Sequence, residues 1–469
     1  MTSRRHLLQA LIATGVIAQF EVQPTVGRAT SPWQQADAIV ARIHRPKFPA
    51  RDFPITGYGA AGDGTTNCTR AFARAVEACS AAGGGRVVVP EGAWLTGPIH
   101  LGSNVNLFVA RGATIRFSTD PADYLPLVFT RWEGVELMNY SPLVYAFGQE
   151  NIAITGEGTL DGQADNVHWW PWKGLKEYGW SEGRPNQIAA RNALFEMGET
   201  NVPVENRLFG EGLCLRPNFI EPYRCRNVLI EGITLRNAPF WEIHPTLCTN
   251  VTVCNVTVDS GGPNTDGCDP ESCRDVLIEN CFFNTGDDCI AIKSGRNGDG
   301  RRVNVATENV VIRNCTMKNG HGGVTIGSEI TGGVRNVFAE NCRMDSPNLW
   351  NAVRLKNNAM RGGVLENLYF RKLVVGQVSH AVLTIDFNYE EGANGPFRPV
   401  VRGVRMENVI SGRSTYGIDA EGLDGAPVSD VALVGCDFRN VAQDNIVKNV
   451  RGLSLRNVTI NGRAVASPR

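Results

Sequence analysis

The chain has 469 residues, 42% of them hydrophobic, and its 46 basic residues nearly balance 47 acidic ones. Such balance supplies no global field for nucleic acid or an anionic membrane, although cations can still be concentrated locally. Length alone predicts about three domains, a prior that gives way if the chain is a solenoid, which grows along one axis without dividing into separate cores.

In chain order, Ser3-Arg4-Arg5-His6-Leu7-Leu8 comes first and opens an apolar run that continues to about Phe20. A basic start before a short apolar segment reads as a signal peptide over residues 1–30. The paired arginines suggest the bacterial twin-arginine route; Sec export and an amphipathic N-terminal helix are the alternatives. The run is too short for a membrane span. The expectation is an exported protein, periplasmic or extracellular, with no membrane partner in its mature form and no nucleic-acid partner. Residues 31–469 are then one mature domain.

Gly57 to Asn67 is a turn-rich loop, and Thr69 to Ala82 predicts an amphipathic helix with Ala71, Phe72, Ala75 and Val76 on one face. A solenoid end exposes core and open strand edges, so a helix there has a capping role. Gly83-Gly84-Gly85 follows the helix and reads as its C-cap and turn, not as a phosphate cradle. Residues 163–213 carry no strand pattern and hold Trp169, Trp170, Trp172 and Trp180 among Gly, Pro and charged residues. Such a stretch reads as a surface excursion; its indoles either stack on a ligand or pack the excursion against the body.

From residue 228 one phrase keeps restarting. It begins at Val228, Val251, Val276, Val310 and Val337, and again at Val404, Val431 and Leu453. Apolar alternation with period two inside each phrase predicts a short strand. The Asn or Gly after it predicts a sharp turn in the left-handed region. Strands spaced this way without long intervening helices read as a parallel β-helix. A sandwich would favour hairpin dipeptides and a propeller a period of roughly 40 residues; neither recurs. Cys281, Cys315, Cys342 and Cys436 share one repeat position, so they are expected to stack inside as small apolar side chains. Cys268 and Cys273 are close enough in sequence to bridge. No CxxC pair or Cys/His spacing argues for zinc.

Four motifs follow in order: Asn264-Thr265-Asp266-Gly267, Gly286-Asp287-Asp288, Gly320-His321-Gly322 and Arg354-Leu355-Lys356. They fall at similar places past the strand phrase, so stacking brings three carboxylates, an imidazole and two cations onto one surface. Glycoside hydrolysis generally needs two carboxyl roles, an acid for the leaving oxygen and a base or nucleophile. Adjacent residues in a strand face opposite ways, so Asp287 and Asp288 share a site only if the backbone leaves the pleat, which Gly286 makes easy. Clustered carboxylates also raise the pKa of one member and hold it protonated. His244, in Trp241-Glu242-Ile243-His244-Pro245, sits one coil earlier and either joins the groove or is a buried structural histidine.

The set and its order resemble family 28 of the glycoside hydrolases, the polygalacturonases and their rhamnogalacturonan-cleaving relatives. The resemblance covers roughly residues 50 to 460. It implies an all-β, right-handed parallel β-helix of the pectin-lyase type with an N-terminal helical cap. It implies Asp287 as general acid, Asp266 and Asp288 as the pair that activates water with inversion, and His321 as the group that tunes the acid. Arg354, Lys356, Tyr389, Asn264 and His244 are the substrate-binding candidates, Tyr389 through a resemblance to the family's substrate-site tyrosine. The partner implied is an acidic polysaccharide or oligogalacturonide, with no cofactor and no metal. The excursion and the Gly320-His321-Gly322-Gly323-Val324 wording look like exo-acting bacterial members. A rhamnogalacturonan or xylogalacturonan hydrolase is the alternative within the class. A pectate lyase and a non-catalytic carbohydrate-binding β-helix are the alternatives outside it.

Overall fold

The computed structural model describes residues 31–467; the expected leader, residues 1–30, lies outside the described residues. The phrase that recurs in the sequence builds a right-handed parallel β-helix with three long faces. One sheet of 13 strands and one of 14 run its length, and a sheet of six strands forms the third face. Isolated bridges Ile220 to Ile243, Ile243 to Cys268 and Cys268 to Ile290 carry this third face towards the N-terminal coils.

Register is kept residue for residue. Val228, Val251, Val276, Val310 and Val337 are successive partners in the first sheet, followed by Leu368, Val404, Val431 and Leu453. Each such side chain, buried in the lumen, stabilises the stack by about 1.5–3 kcal/mol relative to exposure. The turn after each strand holds a left-handed residue: Asn255, Asn280, Asn314, Asn341, Asn408 and Asn457 have φ between 52° and 57°. Leu368 marks a coil that the phrase does not announce. It begins with Leu rather than Val, and Lys372 (φ 52°) occupies its left-handed turn position.

All thirteen cysteines are buried and unbridged, Cys268 and Cys273 included. Cys281, Cys315 and Cys342 occupy successive coils in the stack. Cys436 lies on the same column but is separated from them, because Leu373 and Val409 fill the two coils between.

The helix Thr69–Ala81 closes the N-terminal end and buries Ala71, Phe72, Ala75, Val76 and Cys79. Its C-terminus is satisfied by Gly83 and Gly84, whose N–H groups donate to Ser80 and Cys79 carbonyls at 2.9 Å each. A second helix, Pro32–Arg42, lies on the outside of the first sheet, with Ala36 and Ile39 against Leu277, Val311 and Phe338. No helix among the described residues is long and apolar enough to cross a membrane.

Residues 163–213 leave the stack as short 3₁₀ turns, Trp170–Lys173 and Lys176–Tyr178, and the helix Ile188–Glu199. Trp169, Trp170 and Trp172 fasten this segment by packing against the main core. Trp170 Nε1 also donates to the Ala238 carbonyl at 2.9 Å, and its indole fills the space that a Cβ at Gly262 would need. Trp180 bonds within the excursion, to the Arg184 carbonyl at 2.9 Å.

Candidate active site

The site lies where the third face meets the turns that precede it. Asn264 takes a left-handed φ of 55°. Thr265 pins the turn by donating to the Ser260 and Gly262 carbonyls at 2.8 Å each, and it accepts from the Gly286 N–H at 3.0 Å. In the next coil Thr285 Oγ1 donates to the Asp287 carbonyl at 2.8 Å, and Asp287 Oδ1 accepts from the Asp288 N–H at 2.9 Å. These bonds fold the chain out of the strand alternation, so both carboxylates reach the same place. Glycine is required at two of the motif positions. A Cβ at Gly286 would run into the Gly262 carbonyl, and one at Gly320 (φ 133°) into the Asp287 carbonyl.

Asp266, Asp287 and Asp288 come together with ligand oxygens all within 4.8 Å of one another. His321 Nδ1 is 2.8 Å from Asp287 Oδ1, and its ring stacks on Trp350 with centroids 4.2 Å apart. Lys356 Nζ is 2.8 Å from Asp288 Oδ2, while Thr325 Oγ1 donates to Asp288 Oδ1 at 2.8 Å. Arg354 and Lys356 flank Tyr389, at 5.5 and 5.1 Å from its ring centre. Asn264 Nδ2 is 3.5 Å from Asp287 Oδ2. Among the described residues the three carboxylates are the group with spacing suited to a metal ion; Lys356 at 2.8 Å and Lys293 at 3.7 Å already bring positive charge to them.

His244 is not in this groove. It is fully buried, with Nε2 2.8 Å from Glu271 and Nδ1 3.1 Å from Asn218 Nδ2, and its ring packs edge-on against Trp241. Its expected place among substrate-binding residues is corrected to that of a buried structural histidine, because carboxylate and amide partners occupy both ring nitrogens.

The electrostatics separate the three carboxyls in an unexpected order. Burial, with Asp269 and Asp287 nearby, pushes Asp266 well above the usual carboxylate range. Burial works to raise Asp287 too, but the hydrogen bond and charge of His321 outweigh it and hold Asp287 low. His321 is correspondingly raised, since the bond to Asp287 and the charges of Asp287 and Asp288 overcome its burial. These directions favour the protonated form at Asp266 and the ion-paired form for Asp287 and His321.

Several residues at the site carry no motif of their own. Lys293 is buried, 3.2 Å from Glu329, 3.7 Å from Asp266 and 3.8 Å from Asp269, and 4.2 Å from the centre of the Trp241 ring. The sequence does contain a sign of it: Lys293 follows Ile290-Ala291-Ile292 as Lys356 follows Val353-Arg354-Leu355, and the register carries one onto the other through Gly327. Lys173, at the end of the first turn of the excursion, donates to Asn264 Oδ1 at 2.8 Å, and Arg216 Nη2 donates to the same oxygen at 2.9 Å. Both are long-range contacts with no periodicity behind them.

Residues 211–459 match the family model described as Glycosyl hydrolases family 28. The chain is similar to a hyperthermoactive exopolygalacturonase from Thermotoga maritima, with 46% identity, a TM-score of 0.90 and coverage of 92% of this chain and 96% of that one. It is 28% identical over 400 residues to a probable polygalacturonase of Vitis vinifera, covering 82% of this chain and 73% of the other. The fold is shared with the family 28 exopolygalacturonase of Yersinia enterocolitica, at 22% identity, a TM-score of 0.66 and coverage of 89% and 80%.

Proposed function

The chain belongs to family 28 of the glycosyl hydrolases, and on that premise we propose that it hydrolyses α-1,4-galacturonosyl linkages of polygalacturonate from a chain end, with inversion, after export from a bacterial cell. The observation that carries this reading is the convergence of Asp266, Asp287 and Asp288 within 4.8 Å of one another, with Lys356 at 2.8 Å from Asp288 and Arg354 beside it. Carboxyl groups supply acid and base, and the two cations suit a uronate carboxylate at the bond to be cleaved.

Asp288 is the base in this scheme, held in place by Lys356 and Thr325. Asp266 orients the same water. A water hydrogen-bonded to both at about 2.8 Å needs their oxygens no more than about 5.6 Å apart, which the spacing of up to 4.8 Å meets. Asp287 is the acid, fed by the proton it shares with His321. A bound sugar strips water from this ion pair, and desolvation favours the neutral form, with the proton on the carboxyl. The glycosidic oxygen takes that proton as its bond to C1 breaks. Water attacks C1 from the opposite face, and its proton passes to Asp288.

The spacing also favours a second reading, because carboxyl groups about 5–5.5 Å apart are typical of retaining enzymes and about 6.5–9.5 Å of inverting ones. Against retention through Asp266, burial raises it well above the usual carboxylate range, which makes it a poor nucleophile. Chain-end action is supported by the excursion, whose Lys173 stands against Asn264, on the N-terminal side of the carboxylates. Export rests on the leader-like residues 1–30. Product analysis on polygalacturonate and rhamnogalacturonan tests the substrate and mode. The expected result is short saturated products from the first minutes with little loss of viscosity, and no activity on rhamnogalacturonan. Rapid loss of viscosity would refute chain-end action, and unsaturated products would make the protein a lyase.

A further inference from the structure

On the side of the carboxylates opposite Arg354 and Lys356, two cations converge without an anion. Arg216 is 0% exposed. Its guanidinium donates to Gln187 Oε1 at 3.1 Å, to the Pro239 and Pro263 carbonyls at 2.8 and 2.7 Å, and to Asn264 Oδ1 at 2.9 Å. All four acceptors are neutral. Lys173 Nζ, half-buried, donates to the same Asn264 oxygen at 2.8 Å. Among the described residues neither cation has a carboxylate at ion-pair distance. The nearby Glu133 is taken by Arg191 at 2.7 Å. Burying a charge without a counter-charge in contact is costly: burial pushes Arg216 down to about 9 and lowers Lys173 as well, Arg216 adding to the effect on Lys173 while Glu133 and Asp287 oppose it from a distance. The two donors also fix the amide of Asn264, turning its N–H₂ group towards Asp287 Oδ2 at 3.5 Å.

One buried and one half-buried positive charge beside a sugar-cleaving centre suit an anionic group of the substrate. We propose that Lys173 receives the carboxylate of the sugar on the chain-end side of the scissile bond, with Arg216 supplying the buried charge behind it, so that the enzyme reads a uronate on both sides of the bond it cuts. The inference rests on the galacturonan reading above. An ammonium has three donors, so Lys173 can keep its bond to Asn264 while it binds the carboxylate. With Arg354 and Lys356 reading the other sugar, a neutral sugar on either side leaves a cation unpaired. Polymers in which acidic and neutral sugars alternate are therefore rejected at every bond, without any steric exclusion.

The test compares trigalacturonate with the same trimer whose non-reducing terminal carboxyl is reduced to the alcohol, with products identified so that the bond cleaved is known. Wild-type enzyme is expected to favour the free acid by roughly one to two orders of magnitude in kcat/KM, the scale of one charge-assisted hydrogen bond. In Lys173→Met that ratio is expected to collapse towards one, with the thermal midpoint near that of the wild type. A ratio that stays high while both rates fall together would assign Lys173 to holding Asn264 and overturn the proposal. A wild-type enzyme that cleaves both trimers equally well would also overturn it, leaving the galacturonan reading intact. Cleavage of neither trimer would sink that reading, and this inference with it.

Discussion

At the scale of single residues, the site is a proton inventory. Asp287 is the one carboxyl that both touches His321, at 2.8 Å, and keeps its second oxygen towards Asn264 and the groove. Asp287→Asn is expected to lower turnover by about 10²–10⁴-fold, the usual contribution of a general acid, with the circular dichroism spectrum and thermal midpoint retained. A folded variant with wild-type turnover would remove Asp287 from the mechanism. The pH dependence follows from the directions of the shifts. His321 is raised above its ordinary value of about 6.5, so the pair holds its proton below that value and loses it as pH rises through the folded pKa. Activity should therefore fall on the alkaline side. His321→Gln leaves the proton to a carboxyl alone, so the alkaline limb of kcat/KM should move to lower pH; a limb that stays in place would separate His321 from the acid. The stabilising effect of the pair has the same sign on that side: it is complete below about 6.5 and lost as pH rises through the folded value.

At the scale of elements, glycines permit the close approaches that the chemistry uses. Gly286→Ala is expected to destabilise the fold by about 1–3 kcal/mol, because the added methyl meets the backbone carbonyl of Gly262 rather than a movable side chain. It should also move Asp287 and reduce turnover; denaturant unfolding with parallel kinetics checks both, and a neutral substitution would contradict this account of the turn. Strands were legible where a local rule sufficed. Val228, Val251, Val276 and their successors mark the lumen by alternation, and Asn280 or Asn314 marks the left-handed turn by its tolerance of that conformation. The coil at Leu368 escaped because Lys372 adopts φ 52° with no sequence preference to announce it. The position of His244 was ambiguous because a histidine one coil upstream faces the groove or its wall according to tertiary partners, here Glu271 and Asn218. Lys173 and Arg216 were invisible for the same reason: they meet Asn264 from 91 and 48 residues away.

At the scale of the whole molecule, the chain is nearly neutral, yet several of its cations stand around one groove. Lys293 and Lys356 stand against the carboxylates at 3.7 and 2.8 Å, while Lys173 and Arg216 lie beyond Asn264 on the other side. The solenoid makes this possible by stacking residues from successive coils in register, so that motifs far apart in sequence act as one site. An excursion anchored by Trp169, Trp170 and Trp172 brings Lys173 to one end of it. The account comes down to Asp266 and Asp288 holding one water opposite an acid. Proton NMR of the first product formed from trigalacturonate tests this most directly. The account predicts the β-anomer of galacturonate appearing before mutarotation, with saturated ends. The α-anomer appearing first would mean a covalent intermediate on one of these carboxylates and would contradict it.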